Sequence, residues 1–79
     1  LRVGDAEAAA KARSLLEELV RDRPKNGRAY ASLAEACLRL SDARCARDAV
    51  TKAVARQPRR AKYRALAGRI ERTFASGRE

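Results

Sequence analysis

The chain of 79 residues carries 19 Lys and Arg against 10 Asp and Glu, which gives a formal net charge of +9 at pH 7. This length allows one small domain at most. The absence of histidine excludes histidine-based acid–base catalysis and metal ligation, and no apolar run approaches the roughly 20 residues that a membrane helix needs.

Apolar residues recur at helical spacing in four segments, which predicts helices near 5–22, 27–40, 42–56 and 60–75. No segment alternates apolar and polar residues with period two, so strands are not expected. The connections are short, and consecutive helices should therefore lie antiparallel. The expected buried stripes are Ala9, Ala12, Leu16, Leu19 and Val20 in the first helix; Tyr30, Leu33, Ala34, Cys37 and Leu38 in the second; Ala46, Ala49, Val50, Ala53 and Val54 in the third; and Tyr63, Leu66, Ala67, Ile70 and Phe74 in the fourth.

Cap and stop residues stand at the expected helix ends. Asp5 is expected to cap the first helix and Asn26 the second, because their side-chain oxygens can accept backbone N–H groups of the first turn. The Ser-Asp pair at 41–42 interrupts the apolar pattern and can cap the third helix. Pro24 and Pro58 end the first and third helices, since the proline ring prevents continuation.

The two prolines also mark an internal repeat. Pro24 and Pro58 each follow an amphipathic helix and lie 34 positions apart, a period found in helical repeat proteins. After each proline a similar helix begins, with Ala-Tyr-Ala-Ser-Leu-Ala over 29–34 and Lys-Tyr-Arg-Ala-Leu-Ala over 62–67. An unrelated four-helix bundle is the alternative to a repeat.

The segment from Gly27 to Arg60 resembles a complete tetratricopeptide repeat. The matching positions are Tyr30 at the bulky position, Leu33 and Ala34 at the Leu–small pair, Ala46 and Ala53 at the small positions of the second helix, and Pro58 at the terminal proline. Cys37 departs from the usual Tyr, and Val50 departs from the usual aromatic residue. The flanking matches are Ala12, Leu16 and Pro24 before this unit, and Tyr63, Leu66 and Ala67 after it.

The resemblance implies an all-α fold of four helices, in which antiparallel hairpins stack as a fragment of a right-handed superhelical α-solenoid. Residues 1–79 then form a single domain. Its expected parts are 5–24 as the second helix of a preceding repeat, 27–60 as a complete repeat, 61–75 as the first helix of a following repeat or a capping helix, and 76–79 as a tail.

The resemblance also implies a function. In the family, the first helices of successive repeats line a concave groove, and these are the second and fourth helices here. We expect a protein-interaction scaffold that binds a peptide or protein segment, acidic because the groove is cationic. The candidate partner-binding residues are Arg28, Glu35, Arg39, Arg64, Arg69 and Arg72; the alternative is that these charges form a merely solvated face.

One binding mode known in the family is not expected. Some members clamp a terminal carboxylate with Lys, Asn and Arg at set groove positions, but Ser32, Ala61 and Ala65 stand there instead. The chain is therefore not expected to be a receptor for chaperone tails.

Two other functions stay open. The first helix lacks a hairpin mate, so its face near Leu15, Leu19 and Val20 could mediate self-association as a homodimer or structural assembly. A basic cluster could bind nucleic acid through phosphates; its members are Arg56, Arg59, Arg60, Lys62 and Arg64. The three aromatic residues, Tyr30, Tyr63 and Phe74, fall in apolar stripes, which favours core packing over the base stacking that RNA-binding modules use.

No constellation of catalytic residues is present. The glycines are isolated, no nucleophile–base set is visible, and we expect neither enzyme activity nor a cofactor. Cys37 and Cys45 lack CxxC spacing, and two thiols without a nearby histidine are too few ligands for a zinc site. The favoured interpretation is two small buried thiols, and the alternative is a disulfide across the turn at 41–42.

The remaining expectations concern partners and location. The positive charge favours acidic partners, although an Arg- and Ala-rich composition is also what GC-rich codon usage produces. No signal peptide opens the chain, and we expect a cytoplasmic location. Because the chain begins at Leu1 and contains no Met, we expect it to be a segment of a longer protein or a processed form.

Overall fold

The computed structural model describes the backbone of residues 3–75 and the side chains from Asp5 onward. The four helices are α1 Val3–Asp22, α2 Gly27–Arg39, α3 Ala43–Arg56 and α4 Ala61–Ala75. No strand occurs in this part of the chain, and the predicted all-α class is confirmed. The predicted tail at 76–79 lies outside the described residues.

The starts of α2 and α3 are fixed by local capping. The side-chain oxygen of Asn26 accepts the N–H of Ala29 at 3.1 Å, and that of Asp42 accepts the N–H of Cys45 at 3.1 Å. Both caps agree with the sequence prediction. The prediction for Asp5 was wrong, because α1 begins at Val3 and Asp5 lies within its first turn. A carboxylate is also favourable there, since it faces the positive end of the helix dipole.

A tight turn joins α2 to α3 and reverses the chain. The N–H of Asp42 donates to the carbonyl of Cys37 at 2.9 Å, and the N–H of Ser41 donates to that of Leu38 at 3.1 Å. This pair of bonds is the Schellman motif, which satisfies carbonyls at a helix end. Ser41 has φ of 59°, a left-handed conformation that glycine adopts at lower cost.

Alanines let α2 and α3 approach closely, as the repeat pattern predicts. Ala34, Ala46 and Ala53 are each 0% exposed, so no larger side chain could replace them without pushing the backbones apart. The larger buried side chains fill the space around these contacts. They are Tyr30, Leu33, Val50, Tyr63, Leu66 and Ile70.

The helices form a stack and not a closed bundle. Helix α1 packs on α2, α2 on α3 and α3 on α4, and α2 also contacts α4. Within the described residues α1 does not approach α4, whereas a closed four-helix bundle would bring them together. The stacked arrangement of an α-solenoid is therefore the fold, and the alternative of an unrelated bundle is excluded.

The structure corrects the interpretation of the two cysteines. Cys37 and Cys45 form a disulfide that joins the end of α2 to the first turn of α3. Their Cα atoms lie 5.7 Å apart, within the range of about 4.4–6.8 Å that the bridge requires. The hairpin brings them together because one residue precedes the turn and the other follows it. The disulfide thus occupies the position where the repeat pattern has a tyrosine.

Candidate functional site: the groove between α2 and α4

Helices α2 and α4 lie side by side, and two cavities open along the face between them. The amino-end cavity has a volume of about 540 Å³ and is lined by Arg28, Ala31, Ser32, Glu35, Gln57, Arg60, Lys62, Tyr63 and Leu66. The carboxy-end cavity has a volume of about 340 Å³ and is lined by Glu35, Leu38, Arg39, Ser41, Arg69 and Thr73. The early residues of both helices share one cavity and the late residues share the other, so the two helices run parallel.

The amino-end cavity has an apolar floor and a charged rim. Ala31, Tyr63 and Leu66 are buried, whereas Arg60 and Lys62 are exposed. Its volume falls within the range of about 300–1,000 Å³ that small-ligand sites occupy. A segment of a partner chain could therefore pack apolar atoms on the floor and place polar groups at the rim.

Four of the six predicted partner-binding residues lie along this groove. Arg28 lines the amino-end cavity. Arg39 and Arg69 line the carboxy-end cavity, and Glu35 lines both. The remaining two, Arg64 and Arg72, are exposed on α4 but line neither cavity.

The position of Arg72 follows from the small residue one turn before it. A Cβ built on Gly68 would lie 3.4 Å from the Nη1 atom of Arg72. The guanidinium group therefore lies back over Gly68 and along its own helix.

The repeat pattern extends over most of the chain. A family model described as tetratricopeptide repeat matches residues 5–70. The chain belongs to the tetratricopeptide repeat family. Comparison with curated proteins and with solved structures gives no significant match. Tetratricopeptide repeats bind proteins or peptides and are typically non-catalytic scaffolds.

Three residues with hydrogen-bond donors around the turn into α4 line this tetratricopeptide groove but were not among the predicted binding residues. Gln57, Arg60 and Lys62 line the amino-end cavity, but the sequence pattern assigned the last two to a nucleic-acid cluster. They precede or begin α4, and α4 starts beside the start of α2. The 34-residue repeat could have predicted this, because it makes Tyr63 equivalent to Tyr30 and so places the residues just before Tyr63 next to those just before Tyr30.

Arg60 is oriented by an aromatic ring. Its Cζ atom lies 5.5 Å from the centroid of the Tyr63 ring, and Tyr63 is buried. A cation over an aromatic face at this distance is attracted by the ring quadrupole, by about 0.5–1 kcal/mol at exposed sites. The contact holds the guanidinium at the rim of the cavity.

Gln57 contributes a donor to the same cavity. Its side-chain oxygen is buried and accepts no hydrogen bond from the described residues. It lies in a narrow corner, since a Cβ on Gly27 would stand 3.5 Å from this oxygen and 3.1 Å from the Cβ of Arg56. Gln57 lines the amino-end cavity, so its side-chain amide lies within reach of a ligand bound there.

The opposite side of the stack carries balanced charge. A cavity of about 570 Å³ lies between α1 and α3, and its charged rim consists of Glu17, Arg21, Asp48 and Lys52. Lys52 lies 3.3 Å from the carboxylate of Asp48. The two acids offset the two bases there, whereas the amino-end cavity has three cationic side chains and one acid. The amino-end cavity is therefore more cationic than the cavity between α1 and α3.

The predicted nucleic-acid cluster has no aromatic partners for stacking. Tyr30 and Tyr63 are 8% and 6% exposed, as the apolar pattern predicts, and Phe74 is half-buried with Arg47 over its ring at 5.9 Å. Bases that stack on a protein need exposed aromatic faces. The basic cluster therefore offers contacts to phosphates alone.

Helix α1 presents an apolar side chain to solvent. Leu15 is 68% exposed, and Leu19 and Val20 are half-buried. None of the described helices combines the length and apolar character of a membrane span. Within the same residues no three Cys, Asp or Glu side chains come together as metal ligands.

Proposed function

We propose that this tetratricopeptide scaffold holds an acidic peptide or protein segment in the groove between α2 and α4. The observation that carries the proposal is the excess of cationic side chains in the lining of the two cavities. The cations are Arg28, Arg60 and Lys62 at one end and Arg39 and Arg69 at the other, and Glu35 is the one acid in either lining. Electrostatic complementarity of this kind governs partner choice and association rate.

The groove is also suited to an extended segment. Helix rise is about 1.5 Å per residue, so the first and last turns of α2 are separated by roughly 16 Å. An extended chain covers about 3.3 Å per residue. A partner segment of about five residues would therefore span both cavities.

We propose that residues 27–60 form the complete repeat, with 5–24 and 61–75 as single helices of its neighbours.

The cytoplasmic location stays a prediction. Disulfides persist in oxidising compartments and are rare in the cytosol. Trapping the thiols of the native protein at the moment of lysis would therefore test the location and the disulfide together.

Selection from a random twelve-residue peptide library tests the groove. We expect the selected peptides to be enriched in Asp and Glu. They should bind the Arg39→Glu/Arg69→Glu variant at least tenfold more weakly, equivalent to about 1.4 kcal/mol. The matched control is Lys11→Glu/Arg21→Glu, which reverses the same charge on α1. Peptides without acidic enrichment, or equal loss in both variants, would overturn the proposal.

Self-association through α1 is a second candidate, supported by the exposure of Leu15. Sedimentation at several concentrations decides it. A concentration-dependent dimer that Leu15→Glu converts to a monomer would support this candidate, and a monomer at all concentrations would remove it.

A further inference from the structure

We infer that the amino-end cavity is a subsite for a single carboxylate of the bound segment. The inference rests on the proposed function and adds the chemistry that one end of the groove recognises. It uses Gln57, Arg60 and Lys62, which were not among the predicted binding residues.

Hydrogen-bond donors from three separate segments meet at this cavity. Arg28 comes from the start of α2, Gln57 from the turn after α3, and Lys62 from the start of α4. Arg60 adds a guanidinium immediately before α4. A carboxylate accepts hydrogen bonds through both oxygens, and its bonds to charged donors are about twice as strong as bonds between neutral groups.

One of these donors is held before any ligand arrives. The ring of Tyr63 supports Arg60 at 5.5 Å. Donors that are already oriented lose less side-chain entropy when a ligand binds. The subsite is therefore partly preorganised.

Glu35 limits the ligand to an isolated acid. It stands where the two cavities meet, so its carboxylate would repel a continuous polyanion that ran along the groove. A nucleic acid carries a negative charge at every phosphate, whereas a peptide can place a neutral or basic residue opposite Glu35. The geometry favours a peptide whose acidic residue at the amino-end cavity is followed by a non-acidic residue.

The spacing of the cavities extends this to a pattern. Arg60 and Arg69 are separated by nine positions along the chain, which is roughly 13 Å of helix. In an extended peptide this distance corresponds to about four residues. The preferred ligand has two acidic residues about four positions apart, with a neutral or basic residue between them.

Small amides that carry one carboxylate test the subsite without a full-length partner. The ¹⁵N-labelled chain is titrated with N-acetylglutamate N-methylamide for a side-chain acid, N-acetylglycine for a terminal acid, and N-acetylglutamine N-methylamide as the neutral control. We expect amide shifts at Arg28, Gln57 and Lys62 with the acids and none with the neutral control. The acid that binds more tightly identifies which kind of carboxylate the site prefers.

Matched variants separate a built subsite from general charge. Arg60→Gln/Lys62→Gln should weaken binding of the preferred acid at least tenfold. Arg56→Gln/Arg59→Gln removes the same charge from the preceding residues and should change the affinity less than twofold. Circular dichroism confirms that both variants fold. Equal loss in the two pairs, or equal shifts with the neutral amide, would overturn the inference.

Two further results separate this inference from the proposed function. If library peptides bind the groove but are indifferent to Arg60→Gln/Lys62→Gln, the function stands and the subsite is wrong. Binding of a twelve-residue oligothymidine should weaken equally in both variant pairs. If Arg60→Gln/Lys62→Gln alone weakens oligothymidine binding while binding of the acid probes is unchanged, the cavity binds phosphate instead.

Discussion

Helices α1 and α4 flank the same central hairpin, but they are held by it very differently. Helix α4 has 15 residues and buries Tyr63, Leu66 and Ile70. Helix α1 has 20 residues, and Ala9 is the one buried residue among its described side chains. The longer helix therefore contributes less to the core.

The difference follows from the number of neighbours. Helix α4 rests against both α2 and α3, so its apolar stripe is covered from two sides. Helix α1 packs on α2, and an ion pair of 3.4 Å joins its Arg13 to Asp42, the residue that caps α3. In a repeat stack each helix needs neighbours on both sides to bury its apolar face. Helix α1 thus leaves part of its apolar stripe uncovered, whereas α4 buries its stripe in the core.

The largest expected effect is at Ile70. This side chain is 0% exposed, and truncation of buried aliphatic residues leaves a cavity, so Ile70→Ala should lower the free energy of unfolding by about 3 kcal/mol. Leu15→Ala on α1 should change it by less than about 0.5 kcal/mol. Urea unfolding followed by circular dichroism measures both, and equal losses would contradict the comparison.

The disulfide gives the next effect, because it locks the hairpin on which both flanking helices depend. It closes a loop of sequence separation 8, and removing it should cost about 2 kcal/mol. We expect dithiothreitol to lower the urea midpoint of the native chain and to leave that of Cys45→Ala unchanged. A midpoint of the native chain that does not respond to reductant would show that the thiols are unpaired in solution.

Asp42 has two roles, since it caps α3 and pairs with Arg13 of α1. Asp42→Ala should therefore cost about 1 kcal/mol for the cap and about 0.5 kcal/mol more for the partly exposed ion pair. Asn26→Ala, which removes a cap alone, is the control.

Hydrogen exchange separates the two roles. Arg13→Ala should accelerate exchange of α1 amides and leave α4 unchanged, since locally held segments open independently. Uniform acceleration in both helices would mean that α1 is not a separate unit.

The smallest effect should be stabilising. Ser41 holds a left-handed backbone conformation with φ of 59°, which costs a non-glycine residue about 1–2 kcal/mol. Glycine avoids this cost but loses more entropy on folding, so Ser41→Gly should raise the free energy of unfolding by about 0.5 kcal/mol. The reference variant is Ser14→Gly on α1, a helical position where glycine should destabilise by about 0.5 kcal/mol.

The groove shows where sequence reasoning was sufficient and where it was not. Helical periodicity predicted that Arg28, Arg39 and Arg69 share the face on which the structure has the two cavities, because the direction of a side chain around a helix follows from its position in the chain. Arg60 and Lys62 could not be placed this way, since their neighbours in space belong to α2. Their assignment depends on how closely the starts of α2 and α4 approach.

The sequence by itself determined the four helices, their proline stops, the caps at Asn26 and Asp42, and the 34-residue period, because each of these depends on residues within one turn or one repeat of each other. The tertiary structure decided the cationic cavity at the start of the groove, which arises where helices distant in sequence meet. It also decided between free thiols and a bridge for Cys37 and Cys45, because that choice depends on how closely α2 and α3 pack around the turn.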